Sequence, residues 1–91
     1  MRVQPRAQSH ITGAYDWYEQ QRPGLGLEFL DAVEDCLRRI AENPGLYAVH
    51  RDRIRRAMTH RFPYLLFYVV DPDESAVLAV LHASRDPRRW P

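Results

Sequence analysis

Apolar positions along this chain change their period near the middle, and the change divides it into a helical half and a stranded half. Ala7, Ile11, Ala14, Tyr15 and Tyr18 recur at steps of three and four, which is the spacing of one helix face. The spacing predicts a helix from Pro5 to about Gln21. Pro5 suits its first turn, where a missing N–H costs nothing, and Gly13 weakens it by about 1 kcal/mol relative to alanine. Arg22-Pro23-Gly24-Leu25-Gly26 stops the helix and turns the chain. A second helix is predicted from about Leu27 to Glu42, because Phe29, Leu30, Val33, Cys36, Leu37 and Ile40 fall on one stripe and charged residues occupy the other faces. Asn43-Pro44-Gly45 ends it. The short connection implies an antiparallel helical hairpin.

Beyond the helices the period shortens to two. Ile54, Arg56 and Met58 alternate with Arg55, Ala57 and Thr59, and Thr59, His60 and Arg61 read as a turn. In the run that follows, Phe62, Tyr64, Leu66, Tyr68 and Val70 line one face, and Pro63, Leu65, Phe67 and Val69 the other. Both faces are apolar, so this strand is expected to be central. Asp71 to Ser75 is a turn. Ala76 to Ala83 is a further strand, with Val77, Ala79 and Leu81 on one side and Leu78, Val80 and His82 on the other. Met1 to Gln4 is expected as a short edge strand around Val3, and Leu46 to Arg53 as a loop. The polar tail from Ser84 contains two prolines and cannot form a long helix. The order β-α-α-β-β-β predicts a two-layer α+β fold, the N-terminal helical hairpin packed on one face of an antiparallel sheet and the other face left for binding.

Composition narrows the class. Ninety-one residues, 45% hydrophobic and 27% charged, suit one folded domain over residues 1–91, which buries roughly 60–65% of the surface its unfolded chain exposes. The lone Cys36 can form no internal disulfide and lies on the inward helix stripe, as an inert core thiol would. No run approaches the roughly 18 apolar residues of a membrane span, and the first twenty residues hold no apolar signal core. A cytoplasmic location is expected. Net charge is only +1, but it is unevenly spread. Asp16 to Glu42 carries seven acidic residues against three arginines, and Arg51 to Arg61 carries five arginines against Asp52 alone. All thirteen basic residues are arginine, so no catalytic lysine is available.

Candidate chemistry is sparse. His10, His50, His60 and His82 are scattered and offer no ligand spacing with Cys36, so neither a metal nor a cofactor is expected. No phosphate-binding glycine loop follows a strand. His82, near the end of a strand and three residues before Arg85, could act as a general acid or base beside a cation, or could hydrogen-bond the start of the tail. Arg55, Arg56 and Arg61 could hold phosphates or an acidic segment. Tyr64, Tyr68, Arg85 and Trp90 complete the candidate binding surface.

The segments WYEQQRPGLGLEFLDAVEDCLRRIAENP, IRRAMTHRFPYLLFYVV and VLAVLHASRDPRRW, in this order and spacing, resemble the RelE/ParE superfamily of bacterial toxin-antitoxin proteins, in particular its ParE-like plasmid-stabilisation branch. The resemblance runs from about Ala14 to Trp90. It implies a toxin silenced by a cognate antitoxin whose disordered C-terminal segment folds over it, in a complex that is either a heterodimer or a larger toxin-antitoxin hetero-oligomer. ParE-like members are associated with binding and inhibiting DNA gyrase, whereas RelE-like members are endoribonucleases that cleave mRNA on the ribosome. The nuclease branch uses lysines and a tyrosine near the C-terminus, or a histidine in some relatives. Here only His82, with Arg56 and Arg85 as catalytic cations and Arg61 as a further cation, could fill such roles. The expectation is therefore a gyrase inhibitor rather than an enzyme. A ribosome-dependent endoribonuclease, or an inactive homologue that serves only as antitoxin partner, is the alternative.

Overall fold

The computed structural model describes residues 1–91 and places a two-helix hairpin against one face of a five-stranded sheet. In chain order the elements are β1 (Arg2–Val3), α1 (Pro5–Gln21), α2 (Leu25–Glu42), β2 (Val49–Arg51), β3 (Ile54–Met58), β4 (Tyr64–Val69) and β5 (Ala76–His82), followed by a short 3₁₀ turn over Pro87–Arg89. The strands lie in the order β1-β5-β4-β3-β2. The α+β architecture matches the expectation. The sheet is mixed rather than purely antiparallel, because β1 runs parallel to β5.

The hairpin is tighter than its sequence suggests. Gly24 adopts φ +90°, which only glycine takes without strain, so α2 begins at Leu25 rather than Leu27. A glycine N-cap has no side chain to accept the free N–H groups of the first turn. Glu19 of α1 supplies one instead, accepting from Gly24 N–H and Gly26 N–H at 2.9 Å each. Gly26 is buried, and a Cβ there would lie 2.8 Å from the Tyr15 ring. The helices can approach at this end only because position 26 is bare.

Strand β4 is central, as expected, and is buried on both faces. Leu66 and Tyr68 join Ala57, Val77 and Val80 beneath Ala7, Ile11, Phe29, Val33, Cys36 and Ile40 of the helices. Full burial of a ring such as Phe29 contributes roughly 1.5–3 kcal/mol. Leu65, Phe67, Ala79 and Leu81 form a second cluster on the far face. That face is not left free. The C-terminal tail crosses it, and Trp90 packs at steep ring angles against Phe67 and His50 with ring centroids 5.4 Å apart in each case.

Three local expectations are corrected. Val77 faces the helices, not the Ala79–Leu81 side, because Phe67 pairs with Ala79 and Tyr68 with Val77. Leu78 is thus an extra residue in a β-bulge, which reverses the alternation. Part of Leu46–Arg53 is strand β2, joined to β3 through Asp52 at φ 51°. Aspartate tolerates that conformation, but Asp-Arg carries no glycine to announce the turn. Phe62 lies in the β3–β4 connection rather than in the strand, at φ 59°. That backbone costs roughly 1–3 kcal/mol. It is offset because the ring turns back into the core, 4.8 Å from Tyr18 and 5.7 Å from Phe29, while Thr59 Oγ1 donates to Phe62 C=O.

The bare contact at Gly26 is directly testable. Gly26→Ala is expected to destabilise the fold by about 1–3 kcal/mol, read as a lower urea midpoint at unchanged slope, although alanine favours a helix on propensity alone.

Candidate functional site

Two elements that are far apart in sequence build the most chemically varied cleft. Helix α1 runs beside the outer edge of β5, and a groove of about 300 Å³ opens between them. His10, Gly13 and Trp17 come from the helix; Tyr64, His82 and Arg85 come from the sheet and the start of the tail. On α1, His10, Gly13 and Trp17 fall at steps of three and four. They form a stripe beside the core stripe, which is why they reach the groove when Ala7, Ile11 and Ala14 are buried.

The groove histidines are engaged. Strand β1 covers β5 only as far as Val77, leaving later backbone groups without a strand partner. His10 replaces it, because Val80 N–H donates to His10 Nδ1 at 3.2 Å. The ring must be neutral to accept. Its pKa is lowered from 6.5, first by burial and then by the Arg6 and Arg85 guanidinium groups. His82 Nδ1 accepts from Ser84 N–H at 3.0 Å, with Ser84 Oγ 2.7 Å from the same nitrogen. This imidazole therefore ties the end of β5 to the tail. Tyr64 packs against His82 at 5.2 Å between centroids. Burial is the main cause that pushes its phenol up to about 12, and Arg85 opposes the shift.

No acidic side chain lines the groove. Arg85 forms no ion pair, and its charge is felt at both His10 and Tyr64. Trp17 is 57% exposed and contacts the edge of Tyr18 at 5.1 Å. The cleft thus combines fixed positive charge, hydrogen-bonded imidazole rings and an exposed indole.

The other arginines do not gather. The nominated Arg55 is on the helix side and donates to Tyr47 C=O at 2.6 Å and Gly45 C=O at 3.3 Å, pinning the loop before β2. Arg56 is on the far face, its guanidinium 5.4 Å from the Trp90 ring. Arg61 pairs with Glu28 at 3.0 Å and lies over Phe62. Tyr68 has no exposed surface, and its hydroxyl donates to Pro44 C=O at 2.7 Å. It holds the end of α2 to the sheet and presents nothing to a partner. The positive sheet surface read from Arg51 to Arg61 is dispersed over both faces and an edge.

Of the nominated residues, Tyr64, His82 and Arg85 come together. Arg56 and Trp90 share the opposite face of the sheet from His82. His10 and Trp17 join the first group without having been singled out, although their helical spacing with Gly13 was available as a signal.

The family described as ParE toxin of type II toxin-antitoxin system, parDE, matches residues 1–87 of this chain. No curated protein sequence matches it. Among solved structures it is similar to one titled "Chromosomal ParDE TA system from P. aeruginosa", with a TM-score of 0.67 over 89% of this chain and 91% of that one, at 16% sequence identity. At that identity the likeness establishes the fold.

The His10 hydrogen bond predicts a pH dependence. Its folded-state pKa lies below 6.5, so the unfolded chain binds the proton first as pH falls. The stabilisation is complete above about pH 6.5 and is lost as pH drops through the folded value. NMR titration is expected to place His10 below 6.5, and His10→Gln, which cannot titrate, is expected to flatten that part of the stability profile. A measured value above 6.5 would contradict the assignment.

Proposed function

The chain belongs to the ParE toxin family of type II toxin-antitoxin systems, and from that premise we propose that it is a growth inhibitor that acts by binding DNA gyrase and is silenced by a cognate antitoxin protein. The observation that carries the reading is the family match over nearly the whole chain. The cytoplasm is the proposed site of action. No helix is long and apolar enough to cross a membrane.

The side-chain geometry favours binding over RNA cleavage. Cleavage through a 2'-hydroxyl needs a base with a pKa near the working pH, an acid, and a cation for the phosphate within one reach. Arg56 is separated from His82 by the sheet. Tyr64, with its pKa pushed up to about 12, stays protonated. His82 Nδ1 is occupied by Ser84. What remains around His82 is Arg85, Tyr64 and Trp17, a surface suited to recognition.

The test is ATP-dependent supercoiling of relaxed plasmid by purified gyrase. The folded chain is expected to inhibit it and the antitoxin to relieve the inhibition. Full gyrase activity at saturating toxin would overturn the proposal, and loss of mRNA cleavage in His82→Ala would assign the activity to the ribosome.

A further inference from the structure

A second groove is lined by helical residues alone. Gln8, Ile11, Thr12 and Tyr15 of α1 and Leu27 and Leu30 of α2 enclose a hollow of about 210 Å³. Leu27 stands 59% exposed beside it, while Tyr15 and Leu30 pack on the core with part of their surface still open. The rim is acidic. Of the twelve carboxylate side chains, Glu28, Asp35, Glu42, Asp71, Glu74 and Asp86 meet arginines, and Glu19 accepts from Gly24 and Gly26 N–H. Asp16, Asp31, Glu34, Asp52 and Asp73 have no such partner. Three of those five flank the groove. Asp31 and Glu34 lie one turn beyond Leu27 and Leu30, and Asp16 lies one turn beyond Thr12, on the same helix faces. Arg38, next along that face of α2, is taken up by Asp35 and Glu42.

We infer that this groove between the outer faces of α1 and α2 is where the chain engages its target, and that the target presents a basic amphipathic helix there. The inference rests on the reading of the chain as a gyrase-binding toxin, and it names the surface used. A groove walled by two helices offers no free backbone groups to an added strand, because those groups are hydrogen-bonded within each helix. Recognition must then run through side chains. An apolar side chain of the partner enters between Tyr15, Leu27 and Leu30, and lysines or arginines beside it meet Asp16, Asp31 and Glu34. Leu27 and Glu34 are seven residues apart, which is about 10 Å along the axis of α2, so the apolar and basic residues of the partner span about two helical turns. A protein that holds DNA carries basic surface to neutralise phosphates. That is the sign of charge this rim complements.

Leu27 and Asp31 give a test that spares the fold, because both are exposed and neither belongs to the core. Wild type, Leu27→Gln, Asp31→Arg and Asp73→Asn are each titrated into the gyrase supercoiling reaction and, by calorimetry, against the protein encoded beside this chain's gene. Leu27→Gln and Asp31→Arg are each expected to raise the half-inhibitory concentration about tenfold or more, with circular dichroism and binding of the neighbouring protein unchanged. Asp73→Asn, which removes an unpaired carboxylate in the turn between β4 and β5, is expected to inhibit as the wild type does. Groove variants that inhibit as well as the wild type overturn the docking site and leave the gyrase reading standing. A wild type that leaves gyrase fully active overturns that reading, and the docking site with it. Groove variants that lose the neighbouring protein in parallel with inhibition assign the groove to that protein instead. A wild-type dimer that Leu27→Gln dissociates in analytical ultracentrifugation assigns it to a second copy of the chain.

Discussion

Strand β4 has no side that water can reach over its middle four residues, and the rest of the fold follows from that. Leu66 and Tyr68 must be covered from one side, Leu65 and Phe67 from the other. The helical hairpin answers the first demand, because its stripe from Ala7 to Ile40 is too wide to remain in water. The second is met more thinly, by neighbouring strands and by Trp90 returning from the end of the chain. The sheet is thus covered by a helical layer on one face and by a smaller set on the other, Ile54, His50, Ala83 and Trp90. Tyr68 adds a polar condition to the first layer, because a buried hydroxyl needs an acceptor and finds it at Pro44.

Charge is organised by the same contacts. The acidic helices and the arginine-rich segment from Arg51 to Arg61 carry opposite signs along the sequence, and folding brings part of them together. Glu28 is shared between Arg22 and Arg61, whose hydrogen bonds hold its carboxyl below the usual range. Asp35 is held down in the same way by Arg38 and Arg39. These pairs are exposed and each contributes little to stability. Their larger effect is to use up charge, which leaves Arg6, Arg51, Arg55, Arg56, Arg85 and Arg89 without an acidic partner.

The groove there arises from a mismatch of lengths. Strand β1 has two residues and β5 has seven, so the outer edge of β5 outlasts its partner. Bare N–H and C=O groups on such an edge invite aggregation. In this chain α1 takes over where β1 ends, and His10 satisfies Val80 N–H directly. The cleft is thus a by-product of closing an edge with a helix.

Helical spacing, proline and glycine punctuation and the double-faced apolar run were enough, from sequence alone, to determine the hairpin, the central strand and the α+β class, because each is set by local periodicity and a few residues. The extra strand at Val49–Arg51 was not legible, since a turn through Asp52 carries no glycine. Nor was the reversal at Val77, because a bulge inserts one residue without changing composition. The functional residues divide in the same way. His82 and Arg85 could be nominated from their position after an apolar strand. Tertiary structure alone decided that Arg55 and Tyr68 are tied to backbone carbonyls, that Arg56 lies across the sheet from His82, and that His10 and Trp17 face the same groove. Which face a side chain occupies, and what meets it there, is set by the packing of segments up to seventy residues apart, as in the hydrogen bond from Val80 to His10, and local spacing does not encode it.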